Sequence, residues 1–150
     1  MNVKLLKSVK QAILKTPARL NMGQWIDHDD KTAPCGTAAC LAGHAVVLSR
    51  MQRKTGTWIE RSKGLSRYSV EIQAMGLLGL DHSQARKLFY VRCWPPQFKS
   101  AVHAIPNVCA ETGETHRPSD RQKMAKITAK RIDYFIKTDG TDWEPKRYER

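Results

Sequence analysis

Two cysteines and a histidine stand close together in the segment with the most distinctive residue types of this chain. The segment reads Pro34-Cys-Gly-Thr-Ala-Ala-Cys-Leu-Ala-Gly-His-Ala-Val-Val-Leu48. Thr37 is a natural N-cap, which predicts a helix of about residues 37–54. Helix N–H groups and the helix dipole stabilise a thiolate placed just ahead of the helix. Cys35 is therefore a candidate nucleophile.

A cysteine hydrolase or transferase also needs a histidine base, which commonly lies further along the chain. His103 and His82 both follow Cys35, and Asp133 or Asn107 would orient the imidazole. Such folds normally supply the histidine from a sheet, and this sequence shows no convincing sheet. The other interpretation is that Cys35 is a structural residue at the N-terminal end of the helix.

The rest of the motif favours a packed helix. At about 100° per residue, Cys40 and His44 share an apolar face, where a lone histidine is usually a neutral core residue. Small residues on the other sides let neighbouring helices approach closely, which predicts a buried central helix. The four cysteines form no C-x-x-C pair, so we predict no metal site and no cofactor. Without an export signal, the thiols are expected to stay reduced.

The pattern is helical along nearly the whole chain. Further helices are predicted up to residue 15, over about 70–78, from the capping box at 81–84 to before 94, over 97–104, and from the capping box at 119–122 to 137. Residues 55–68 and 106–118 are predicted loops. We therefore expect an all-α fold, a compact single-domain bundle of five to six helices around a buried central helix (about 37–54). The domain spans residues 1–138, and 139–150 form a loosely held polar C-terminal tail.

The charge balance indicates an acidic partner. The chain has 26 Lys and Arg against 14 Asp and Glu, a net charge of +12, which favours nucleic acid or an acidic protein surface. No apolar run approaches the ~20 residues of a membrane span, so no membrane partner is predicted. The lysines of the first helix interrupt any signal-peptide core, which predicts a cytoplasmic protein. The oligomeric state is left open.

Four lysines of the final helix form the clearest basic stripe. Lys123, Lys126, Lys130 and Lys137 fall within roughly 60° of one another at helical spacing. Such a stripe can follow phosphates or an acidic protein face, although a solvated helix face has the same pattern. The predicted loop of residues 55–68 adds a second basic set, Arg61, Lys63 and Arg67.

Residues 76–89 resemble a helix-turn-helix, with a glycine turn and a capped second helix. In that interpretation the residues that face the major groove would be His82, Ser83, Arg86 and Lys87. An ordinary αα-hairpin explains the same residues, and the second helix is short.

The motif at residues 35–45 also resembles a family signature. Small uncharacterised bacterial and phage proteins carry C-G-T-x-x-C-x-A-G-x-A ahead of an L-G-L…A-x-x-L-F segment. The matching residues here are Leu78-Gly-Leu80, Ala85, Leu88-Phe89 and Trp94-Pro95, followed later by Arg131-Ile-Asp-Tyr-Phe135. The resemblance implies a phage-borne or mobile-element accessory protein. It brings no established activity and no catalytic residues.

Three functions follow from the sequence. The favoured one is a small basic accessory protein that docks on nucleic acid or on an acidic surface of a host complex that handles it. An alternative is a cysteine-dependent enzyme with Cys35 as nucleophile and His103 or His82 as base. A second alternative is a protein-directed inhibitor without affinity for nucleic acid.

Overall fold

A computed structural model of the chain describes residues 1–31, 33, 37–53 and 57–141, without the side chains at 52, 53, 59, 67 and 68. The described helices are α1 Val3–Lys15, α2 Leu41–Arg53, α3 Trp58–Ser62, α4 Arg67–Leu78, α5 His82–Phe89, α6 Pro96–His103 and α7 Pro118–Lys137. Two 3₁₀ turns, Pro17–Arg19 and Val91–Cys93, and two short strands, β1 Ile26–Asp27 and β2 Ala38–Ala39, complete the fold. The all-α prediction is confirmed.

The predicted central helix lies in the core. α2 packs against both α1 and α4, and Leu41, Ala45 and Val46 are completely buried. The helix begins at Leu41, however, and Thr37 is not its cap. Residues 38–39 instead pair with β1 in an antiparallel ladder. A backbone pairing with a distant segment therefore replaces the first helical turn that the local capping signal predicts.

α1 and α7 pack against each other and run in opposite directions. Lys10 of α1 pairs with Asp133 of α7, and Ala18, just after α1, accepts a hydrogen bond from Arg121 near the start of α7. Met124, Thr128, Ile132 and Phe135 recur at helical spacing in the sequence, which predicts the core stripe of the final helix, and all four are buried in α7.

Some helix boundaries agree with the capping residues predicted from the sequence, and others do not. Asp81 and Gln84 form the predicted capping box of α5, and Gly79 ends α4 with a left-handed φ of 61°. The capping box predicted at Ser119 is wrong, because α7 begins at Pro118, so that Ser119 is the second residue of the helix, and no side chain caps it. The preset φ of proline suits that position.

The basic segment of residues 55–68 is not only a loop. α3 begins after Thr57, whose side chain forms a capping box with Glu60. α4 then begins at Arg67, three residues earlier than predicted, because Ser66 is its N-cap. The additional helix α3 brings the number of described helices to seven, above the predicted five to six.

The first residues of the predicted tail pack against the domain. The carbonyl of Asp139 accepts a hydrogen bond from Gln84 at 3.0 Å, and Gly140 is buried against the Phe135 ring. Residues 142–150 lie outside the described part of the chain.

Candidate functional site

Close packing explains the glycine at position 43, just after the C-G-T-x-x-C residues. The backbone of residues 20–27 lies directly against the start of α2: Cys40 N–H donates to the Gln24 carbonyl at 2.7 Å. A methyl group at Gly43 would overlap the Trp25 carbonyl oxygen and would lie 2.7 Å from Ala39 Cβ. Glycine is therefore required at this position by the close approach of a neighbouring segment.

His44 is a core residue, as its position on the apolar face indicates. The side chain is 1% exposed, and its Nδ1 lies 3.0 Å from the Cys40 carbonyl oxygen, to which it donates in the neutral ring. The ring packs against Trp58, with 4.8 Å between centroids. Burial lowers the pKa of His44 to about 4, so the imidazole is neutral at physiological pH.

The cysteines that the structure describes differ in burial. Burial raises the pKa of the Cys40 thiol to about 11, which keeps it protonated and unreactive. Cys40, Cys93 and Cys109 are free, and of these Cys109 is exposed. Hydrogen bonds from Thr112 lower the pKa of Cys109. Cys35, the predicted nucleophile, lies outside the described residues.

The histidines and orienting residues of the enzyme hypothesis are spread over several elements. His103 ends α6 and His82 begins α5, and both are exposed. The carboxylate of Asp133 accepts hydrogen bonds from Lys10 at 2.6 and 2.7 Å. Asn107 occupies a loop with a left-handed φ of 58°. The cysteine-enzyme hypothesis stays a prediction.

The predicted stripe of the final helix lies on the surface. Lys123, Lys126, Lys130 and Lys137 are all exposed on α7, and we call these four residues the α7 ridge. At 1.5 Å per residue the ridge is about 21 Å long. α7 packs against both α1 and α6, and Phe98 of α6 lies 5.6 Å from Tyr134 between ring centroids.

Two carboxylates lie close to the α7 ridge. Asp133 is held by Lys10 of α1, so a lysine outside the ridge neutralises it. Asp120 approaches Lys123 at 4.0 Å, with its carboxylate largely buried. Lys126, Lys130 and Lys137 form no ion pair within the described part of the chain, and their positive charge faces solvent.

A buried arginine holds the N-terminal end of α7. Arg121 is completely buried and forms an ion pair with Asp30. Its guanidinium also donates to the carbonyl oxygens of Ala18 and Thr115. This one side chain therefore joins α7 to three other segments, and it fixes the ridge relative to the body of the domain.

A second buried arginine lies further along α7. Arg131 Nη2 donates to the Lys87 carbonyl at 3.1 Å, and its Cζ lies 5.2 Å from the centroid of the Phe135 ring. Neither arginine was predicted from the sequence to be buried. The available signal was spacing, because residues 121 and 131 fall on the apolar side of α7 beside the core stripe.

The second basic set lies on different elements from the α7 ridge. α3 packs against α2, and Arg61 is half-buried there while Lys63 is exposed. The side chain of Arg67 lies outside the described residues. The structure therefore does not bring this set and the ridge onto a single helix face.

The helix-turn-helix interpretation requires the basic residues of α5 to be exposed, and only some of them are. Arg86 is exposed, but Lys87 is 5% exposed and faces the interior. Lys87 is therefore corrected from a surface contact to a buried residue, because α5 packs against α7 there and Arg131 donates to the Lys87 carbonyl oxygen. α5 is eight residues long and packs against α7.

No known family matches this chain, and the searches of characterised proteins and of solved structures also found no match. The family resemblance of residues 35–45 stays a prediction. Over the described residues, no helix combines the length and apolar character needed to cross a membrane. The same part of the chain contains no cluster of three or more His, Cys, Asp or Glu residues arranged to hold a metal ion.

Proposed function

We propose that the α7 ridge binds the phosphate backbone of nucleic acid, and that the protein is a small basic accessory factor. The observation that supports this proposal is the exposure of four lysines along one line of α7, a helix whose opposite side is buried. Lysine ammonium groups are point charges that bind phosphates without reading bases. The interaction is therefore expected to depend on charge and salt, with little dependence on sequence.

The surroundings of the ridge support an anionic ligand. Lys10 neutralises Asp133, the carboxylate that would otherwise repel a phosphate beside Lys130. The buried Arg121 keeps α7 in place, so the lysines stay in register with one another. A pre-organised line of charge costs less to order on binding than a flexible basic tail.

The test is fluorescence anisotropy with a labelled DNA duplex and a single strand of the same sequence. Four phosphate contacts predict that the logarithm of the binding constant falls with the logarithm of salt concentration with a slope of about −3.6 on duplex DNA. Charge reversal in a K126E/K130E variant is expected to weaken binding at least about tenfold and to reduce that slope by about 2.

A matched control reverses two charges elsewhere. Lys31 and Arg92 are exposed and lie outside the ridge, so a K31E/R92E variant changes the net charge by the same amount. We expect this control to keep most of the affinity. Equal loss in both variants would show that only overall charge matters. Absence of binding to any oligonucleotide at low salt, together with binding to polyglutamate, would assign the ridge to an acidic protein surface instead.

A further inference from the structure

A second set of exposed lysines lies on α1, the helix that packs beside the α7 ridge. Lys4, Lys7 and Lys15 are exposed and fall within about 80° of one another at helical spacing, and we call these three residues the α1 row. The opposite side of α1 carries its buried residues, Leu5, Leu6, Val9 and Ile13. Within the described part of the chain, no lysine of the α1 row forms an ion pair, so this charge faces solvent.

An exposed ion pair shows that the α1 row and the α7 ridge belong to one surface. Lys10 of α1 contacts Asp133 of α7 at 2.6 Å, and 30% and 54% of these side chains are exposed. The exposed faces of the two helices therefore meet. Because the helices run in opposite directions, Lys7, one turn before Lys10, comes near Lys137, one turn after Asp133. The result is two lines of positive charge that lie side by side.

The separation of these two lines matches the separation of two DNA strands across a groove. Helices in direct contact pack with their axes about 8–10 Å apart. In B-form DNA the minor groove is about 6 Å wide and the major groove about 12 Å wide, and phosphates of opposite strands border each groove. A single strand presents one line of phosphates, so it can follow only one of the two lines of lysines.

We propose that the ligand is duplex DNA, with phosphates of one strand on the α7 ridge and phosphates of the other strand on the α1 row. This inference rests on the proposed function, to which it adds a substrate class and three further contact residues. The ion pair of Lys10 and Asp133 lies between the two lines and is neutral as a pair, so it does not repel either strand. Contacts of this kind position the protein on a duplex without reading its bases.

The salt dependence of binding reports how many phosphates the protein contacts. Fluorescence anisotropy over about 50–200 mM salt measures it for a duplex and for one of its strands alone. The ridge and the row together predict a slope of about −6.3 on the duplex, whereas the ridge alone predicts about −3.6. The single strand, held by the ridge alone, should give about −2.8. A duplex slope near −3.6 would overturn the proposal, because it leaves no phosphates for the α1 row.

Neutralising two lysines of the α1 row separates the contributions of the two strands. K4Q/K7Q should weaken duplex binding at least about tenfold and reduce its slope by about 2, and it should change single-strand binding by less than about twofold. Glutamine favours a helix about as much as lysine does, so α1 should be kept, which circular dichroism checks. The matched control, K31Q/R92Q, removes two exposed charges outside both lines and should leave the ratio of duplex to single-strand affinity unchanged.

The failure of this proposal differs from the failure of the proposed function. Equal losses of duplex and single-strand affinity in K4Q/K7Q, or no loss in either, overturn the two-strand arrangement. If K126E/K130E still weakens binding in that case, the α7 ridge remains a nucleic-acid site. Absence of binding to every oligonucleotide at low salt refutes the proposed function itself, and the duplex proposal with it.

Discussion

Lowering the pH from neutral is expected to destabilise the fold through His44. Burial lowers the pKa of this residue from 6.5 to about 4. In the unfolded chain the imidazole takes up a proton as the pH falls below 6.5, whereas the folded protein excludes that proton until about pH 4. Protonation therefore favours the unfolded state, so the stability is fully present above pH 6.5 and is lost progressively down to pH 4.

The magnitude follows from the separation of the two pKa values. Each pKa unit corresponds to about 1.4 kcal/mol. The contribution of His44 is a loss of about 2 kcal/mol at pH 5 and about 3 kcal/mol at pH 4 relative to neutral pH. Losses of this size are a large fraction of the stability of a typical domain.

Urea denaturation followed by circular dichroism measures this loss, and H44N isolates it. Asparagine does not titrate, and its amide can donate to the Cys40 carbonyl as His44 Nδ1 does. Carboxylates contribute to the acid sensitivity of both proteins, so the informative quantity is the difference between them. Between about pH 7 and pH 5, the wild type should lose about 2 kcal/mol more than H44N. Identical losses, or an imidazole that titrates near its ordinary pKa in the folded protein, would refute the reasoning.

Two further predictions concern packing. G43A is expected to destabilise the protein by about 1–3 kcal/mol in urea denaturation, because the added methyl overlaps the Trp25 carbonyl. The control is G76A, which adds a methyl group at an open position of α4. Equal losses of stability in the two variants would contradict the packing explanation. R121M is expected to cost about 3–5 kcal/mol, because it leaves Asp30 buried without the guanidinium. A loss below about 1 kcal/mol in thermal or urea unfolding would show that Arg121 does not hold α7 in place.

Local chemistry in the sequence predicted much of the helical framework. The capping box of Asp81 and Gln84 depends on residues three apart, and it forms where it was predicted. The core stripe of α7 was likewise visible as apolar spacing, and its members are buried. Such signals need no knowledge of the rest of the fold, because their partners lie within one or two helical turns.

Signals that compete with distant contacts gave less reliable predictions. Thr37 has the side chain of an N-cap, but the strand pairing of residues 38–39 with 26–27 delays α2 to Leu41. The helix-turn-helix interpretation placed Lys87 on the surface, and the packing of α5 buries it instead. In both cases a partner far along the chain decided the outcome, and no local pattern shows that partner.

The sequence by itself determined that this is a helical, strongly basic protein with a lysine stripe on its final helix. The periodicity of apolar residues and the excess of positive charge do not depend on how the chain folds. Only the tertiary structure decided what those residues face. It buried Arg121 against Asp30, paired Asp133 with Lys10, and left Ile72 exposed on α4. Burial and pairing depend on which segments meet, and that is set by the packing of the whole chain.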